Sequence, residues 1–405
     1  MSGDIFAPAD ILLPKTADMT KWSVIACDQF SSERDYWARV RRFTAGAPTT
    51  LDMIVPEAHL RGTDMALSSD TISGHMREYL QSGFFKTIPD SMVYLERTLP
   101  GGQVRRGLIG AIDLEAYDFE PGTAARVRAS ERTAADRLPA RLDIRRAAPL
   151  ELTHVMAFVG DAGCRIIEPF SERTGALEAL YDFELMEGGG RVRGWRVAGD
   201  DARAAAREIS CPRRGQTSPS IIIGDGNHSL AAAKEYWNEL KSSEGAGHPA
   251  RYALVELNNI YDSAIELRAI HRAVFGASPD ALMDELQKAL PPCPGGHIGL
   301  RHIHASEERE YMTDACSAGE LYGRLQDFLD GYSARTGCTV DYIHGESSVR
   351  SLSGRGGGIG FIMPAMDKAD VFGAVESRGC FPKKTFSVGY ARDKRYYLEC
   401  RAINA

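Results

Sequence analysis

The residues best equipped for chemistry lie together at Asp225, Gly226, Asn227, His228 and Ser229, after Ser220 and three isoleucines and before the run LAAAKEYWNEL. A β-branched strand that turns sharply on glycine and opens an alanine-rich helix is the arrangement an anion needs. The helix start offers unpaired N–H groups and the positive end of its dipole. Gly226 allows a ligand close to the backbone, and Asn227, His228 and Ser229 bring side-chain donors to the same spot. Asp225 does not suit phosphate directly. A carboxylate beside a phosphate site holds Mg²⁺ or takes a proton from an attacking hydroxyl. The competing reading is that Asp225 or Asn227 simply caps the helix and His228 fills a polar gap.

The strand ending at Asp225 and a helix over Ser229–Lys241 must position this cluster. The segment from Trp22 to Asp28, WSVIACD, reads as a strand that leaves Asp28 at its mouth, followed by a Ser-capped helix in SSERDYWARVRRF. TLDMIVPE is a second apolar unit, ending at Pro56 and Glu57. SMVYLERTL and GLIGAIDLEAYDF flank a turn at Pro100–Gly102 and read as a hairpin, and YDFELMEGGGRVRGWRV repeats the pattern around Gly188–Gly190. Further helices are expected at Asp201–Ile209, Pro279–Leu290 and Ala318–Ser333. The glycines from Gly354 to Gly360 superficially suggest a phosphate loop. They precede apolar FIMPAM rather than a helix, so a flexible loop is the better reading. Strands and helices alternate without a repeat, which gives a mixed α+β (α/β) chain. We divide it into a region 1–217 with hairpins and a region 218–405 carrying the Asp225 cluster and a C-terminal α/β part, with one compact unit as the alternative.

At 405 residues with 43% hydrophobic and 25% charged side chains, the chain can bury a full core. A formal charge of −7 argues against a general nucleic-acid binder, because such binding needs a strongly positive face. No stretch is long and apolar enough for a membrane helix, and Met1–Asp10 lacks a signal pattern, so the expected compartment is the cytoplasm. Eight dispersed cysteines without a CxxC pair read as free thiols. His297, His302 and His304 sit in HIGLRHIH, where alternation puts His302 and His304 on one strand face, but that pair lacks a convincing third metal ligand. The arginines from Arg126 to Arg146 make a basic stretch, partly balanced by Glu131, Asp136 and Asp143. It suits a pocket wall for an anion better than a DNA-binding face.

DGNHSLAAAK resembles the DGHHR-type motif of the domain-of-unknown-function family 1015. WSVIACDQFSSERDYW, RASERTAADRLPAR, ELRAIHRAVFG and FPKKTFSVGY resemble its other segments in order, over nearly the whole chain. The resemblance implies a ParB/sulfiredoxin-like core with large insertions and additional strands and helices. It also implies binding of ATP or another nucleotide and, by similarity to kinases acting on free serine, Mg²⁺-dependent phosphoryl transfer to a small hydroxylated metabolite. A non-catalytic, ParB-like regulatory module is the alternative. Asp225, Gly226, Asn227 and His228 match the motif, while Ser229 stands where relatives carry Arg, so a guanidinium clamp is missing there. Arg132, Arg137, His271, Arg272, Lys383 and Lys384 lie in matching segments and are candidates to replace it. Glu131 falls in another matching segment. As partner carboxylate to Asp225 we favour Asp28, because the similar kinases carry theirs near the N-terminus, with Glu131 and Glu57 as the other candidates.

Overall fold

Ile221, Ile222 and Ile223 are fully buried, and the strand they form lies third from one end of the sheet of the first unit. A strand buried on both faces is a continuous apolar run, and β-branched side chains fill its pleat. The computed structural model describes residues 3–59, 69–133, 138–211, 219–305, 307–354 and 358–404. It separates into one unit of Met1–Ile265 with Gly389–Ala405 and another of Glu266–Val388.

In the first unit the main strands are β1 (Ala9–Pro14), β2 (Phe85–Thr98), β3 (Val104–Asp113), β4 (Tyr117–Asp118), β5 (Val127–Ala129), β6 (Leu150–Leu152), β7 (Val155–Val159), β8 (Glu178–Leu185), β9 (Gly190–Ala198), β10 (Ile221–Asp225), β11 (Tyr252–Asn259) and β12 (Cys400–Ala402). They lie in the order β4-β5-β10-β7-β11-β3-β2-β1-β12-β6, with the β8–β9 hairpin paired to β2. The sheet is mixed: β10 runs parallel to β5 and antiparallel to β7, and β11 is parallel to β7 and antiparallel to β3. Helix α1 spans Arg34–Thr44, α2 Gly199–Ser210 and α3 Asn227–Glu244. Leu230, Ala233 and Trp237 of α3 pack with Ile221 and Ile223 into one apolar cluster, which holds the helix on the strand that feeds it.

The boundary expected at 217/218 is crossed by this sheet, because β10 pairs with β5 and β7 from the earlier part of the chain. The units part instead at Ile265/Glu266 and again at Val388/Gly389. Both expected hairpins are present, as β2–β3 and β8–β9. Two expected strands are not. Asp18 caps a short helix at Met19–Trp22, leaving Ile25 with a single bridge to Tyr396. The Thr49 side chain accepts the Leu51 N–H and winds Thr50–Met53 into a 3₁₀ turn. The helix after Asp28 forms as α1, but its N-cap is Glu33 without a side-chain bond rather than a serine.

The second unit has its own antiparallel sheet, in the order Glu307–Thr313, Ile298–His304, Gly358–Ile362, Leu267–Phe275 and Thr339–His344, with Phe386–Val388 also on Leu267–Phe275. Part of the glycine-rich stretch is thus strand, and residues 355–357 lie outside the described residues. Helices Pro279–Ala289 and Ala318–Thr336 are capped by Ser278 and Ser317. Among the described residues no helix is long and apolar enough to cross a membrane.

Candidate anion-binding site

The turn between β10 and α3 is written by two glycines. A Cβ on Gly224 would meet the Phe158 ring at 2.2 Å. Gly226 has φ +80°, and a Cβ there would lie 3.2 Å from the Val155 backbone. Left-handed geometry and close strand approach therefore both demand glycine. Gly226 is itself the N-cap of α3 and, having no side chain, makes no side-chain capping bond. The reading of Asp225 or Asn227 as a cap is thereby removed. Asp225 Oδ1 instead accepts the adjacent Gly226 N–H at 3.2 Å.

The other oxygen of Asp225 has an unforeseen partner: Lys394 Nζ lies 3.1 Å from Oδ2, with the lysine side chain 7% exposed and the aspartate 20%. The loop that carries Lys394 is gripped from below. Arg97 and Arg105, directly opposite each other on β2 and β3, are both buried. Arg97 donates to the carbonyls of Asp393 (3.2 Å), Arg392 (2.5 Å), Gly189 (2.9 Å) and Lys394, and Arg105 to that of Asp393 (2.6 Å). Like charges facing across a ladder repel. Burial, followed by repulsion from Arg105, lowers the Arg97 pKa to about 9, which still leaves it charged at neutral pH. Buried Glu256 answers the charge: Oε1 takes Arg105 Nε at 3.2 Å, and Oε2 faces Arg395 Nε at 3.3 Å without hydrogen-bond alignment. Burial pushes the Glu256 carboxyl up, but Arg105 and Arg395 outweigh it and the net shift is downward.

The stretch after Lys394 brings Asp28 to the same end of the sheet. Ala26 N–H donates to Arg395 O (2.9 Å), Tyr397 N–H to Val24 O (2.7 Å), and Cys27 N–H to the Tyr397 hydroxyl (3.2 Å). Asp28 follows, exposed. His154, at the mouth of β7, has its ring 5.2 Å from that of Tyr397, and the charges of both Asp28 and Asp225 act on it. Burial dominates and lowers its pKa. Its Nδ1 faces Leu152 O at 3.0 Å, an acceptor, so Nδ1 carries the proton and Nε2 keeps the lone pair. Such an imidazole can accept a proton. Glu57 joins through its N–H to Cys27 O (2.8 Å) and pairs with Arg141. Burial, with Asp28 adding, pushes the Cys27 thiol up to about 12, so it is no nucleophile.

Of the expected site residues, Asp225, Gly226, Asn227, His228 and Ser229 form the turn. Ser130 ties Glu131 to it, since Ser130 N–H donates to Ile223 O (3.3 Å) and its Oγ receives Asn227 Nδ2 (3.4 Å). Glu131 is half-buried and Arg132 exposed. Arg137 lies outside the described residues. His271, Arg272, Lys383 and Lys384 belong to the second unit. There His271 Nδ1 accepts Met363 N–H at 3.1 Å, and burial lowers its pKa to about 4. Arg272 is buried and donates to Gln326 Oε1 (3.2 Å), Ile270 O (2.5 Å) and Lys384 O (2.9 Å). Its guanidinium also sits 5.3 Å and 5.0 Å from the rings of Tyr322 and Tyr342. Lys383 and Lys384 are exposed.

Sequence reasoning missed Lys394 and His154. His154 stands immediately before the strand-forming run VMAFV, which is the signal that could have marked it as a strand-mouth residue.

Fold and site together describe a mixed α/β protein with a glycine-formed strand–turn–helix and opposed charges beside it. The profile of DUF1015, a protein family of unknown function, matches residues 7–398, and the chain belongs to that family. Among solved structures it is similar to a free serine kinase variant in complex with AMP, at 12% identity over 71% of this chain and 90% of that one, with a TM-score of 0.41. It is also similar to a conserved hypothetical protein from Pyrococcus furiosus, at 13% identity over 71% and 93% of the two chains, with a TM-score of 0.39. A third is C-terminally truncated SbnI from Staphylococcus aureus, at 11% identity over 69% and 82%, with a TM-score of 0.39. No curated protein matches the sequence.

Proposed function

We propose that this chain is a cytoplasmic enzyme that binds the phosphates of ATP or another nucleotide at Gly226–Ser229 and transfers a phosphoryl group to the hydroxyl of a small metabolite such as free serine. The observation that carries this reading is the start of α3 on a left-handed Gly226 N-cap, with the Asp225–Lys394 pair beside it. Such a helix start binds anions through its amides and dipole. Asp225 and Asp28 can divide the work, one carboxylate toward the metal and one toward the acceptor hydroxyl. Glu131 and His228 stand at the same turn as further polar groups. Oxygen donors suit Mg²⁺, and Asp225 is the residue that would hold it; the ion would neutralise phosphate charge. The described residues contain no group of three or more His, Cys, Asp or Glu placed for a metal, so its remaining ligands would be phosphate and water.

The Asp225–Lys394 pair also favours a second reading, in which the carboxylate stays engaged and the chain is a nucleotide-binding regulatory module without turnover. Steady consumption of ATP stimulated by one hydroxylated metabolite selects the enzyme, and tight binding without turnover selects the module. Asp225→Ala and His228→Ala should abolish nucleotide binding or turnover while both variants still fold, with Asp225→Ala melting lower because it removes the counter-ion of buried Lys394. Unchanged binding and turnover in both variants would refute the proposal.

A further inference from the structure

We propose that Lys394 is the side-chain cation that receives the bound phosphate, with Asp225 as its counter-ion while no phosphate is present. This rests on the reading that a phosphate sits at the start of α3. A lysine 5% exposed is kept only with a partner, because a desolvated ammonium is costly. Its partner is an acid at the strand–helix turn, not one in the core. The first turn of α3, Asn227–Leu230, contains no Arg or Lys, so the amides there lack a basic side chain of their own. Lys394 supplies one from a distant part of the chain.

Two further observations point to a ligand. Asn227 is 9% exposed, and its Oδ1 has no hydrogen-bond partner among the described residues. A buried acceptor left unmatched is costly, and a hydroxyl of the nucleotide or of the acceptor metabolite would satisfy it where a phosphate oxygen would not. The loop holding Lys394 is fixed by hydrogen bonds to its carbonyls from Arg97 and Arg105, both charged side chains taken fully out of water. A cation held at a set position is what phosphate recognition requires. On arrival of a phosphate oxygen the ammonium changes partner, and the Asp225 carboxylate is released for the acceptor or the metal.

The test is calorimetric titration of the full chain and of Lys394→Met with ATP and with inorganic tripolyphosphate. Lys394→Gln serves as a second neutral variant should the first fail to fold, and melting curves verify folding. Removing one charge-assisted hydrogen bond to phosphate corresponds to a decrease in tripolyphosphate affinity of about tenfold or more. That decrease, in either variant, supports the assignment, and affinity equal to that of the unaltered chain overturns it. If the unaltered chain binds tripolyphosphate but not ATP, the nucleotide reading falls while the lysine variants still decide the role of Lys394. If it binds neither, both fall.

Discussion

Asp225–Lys394 in the first unit and His271–Arg272 in the second each place charge against a buried strand, and they handle desolvation differently. Arg272 is enclosed by carbonyls, Gln326 and two tyrosine rings, and His271 is neutral and accepts a backbone N–H. Asp225 and Lys394 pair with each other, and Asp225 also takes the Gly226 N–H, next to a glycine-capped helix start and an unmatched Asn227 oxygen. The difference separates a cation wrapped in many contacts inside its unit from a charge pair with few, set beside a glycine-capped helix start.

The largest effect should fall in the second unit. Arg272→Ala removes three hydrogen bonds to a buried cation and its packing on two rings and leaves a cavity, a destabilisation of about 3–5 kcal/mol in denaturant unfolding. Nucleotide affinity should stay within about twofold, the scatter of a difference well under 1 kcal/mol. A variant of normal stability with weakened nucleotide binding would break the comparison.

His271 sharpens it through pH. Its folded pKa of about 4 lies below the ordinary 6.5, so between these values the unfolded chain binds a proton that the folded chain does not. Stability attributable to His271 is therefore full above pH 6.5 and falls as pH drops toward 4, by up to about 3 kcal/mol at 1.4 kcal/mol per unit. His154 carries a shift of the same sign. Urea midpoints measured between pH 7.5 and pH 4.5 should converge for His271→Gln and the unaltered protein as pH falls. Parallel curves would contradict the assignment.

A smaller effect is expected at the turn. Gly226→Ala forces a side chain into left-handed geometry against Val155, at about 1–2 kcal/mol of stability. Because the shift is local, it should also misplace the amides at Asn227 and His228 and weaken nucleotide affinity by a larger factor than the stability change accounts for. Equal affinity would show that the turn holds nothing.

How much of this the sequence revealed follows from how local each feature is. The IIIGDGNHS run encodes its own strand, turn and helix, because three β-branched residues, two glycines and an alanine-rich stretch act within a few positions of one another. The hairpins at Pro100–Gly102 and Gly188–Gly190 were legible for the same reason. WSVIACD and TLDMIVPE look like strands by composition, yet an Asp18-capped helix takes Trp22, a Thr49-capped turn takes Thr50–Met53, and Ile25 finds only a single bridge to Tyr396. Lys394 could not be found by pattern. Its position depends on Arg97, Arg105 and Glu256, which lie on three different strands, and on pairing of its loop with Val24–Ala26. His271 and Arg272 read as candidates to replace the missing guanidinium clamp because sequence gives charge without giving the carbonyls and rings that absorb it.

The central claim is that the amides opening α3 receive an anion. Hydrogen–deuterium exchange of the full chain, with and without saturating ATP and Mg²⁺, reads those amides directly. The account predicts slowed exchange in the peptide covering Asp225–Leu230, and disappearance of that slowing in Asp225→Ala. Exchange there that ignores nucleotide, while binding is demonstrated by calorimetry, would contradict it.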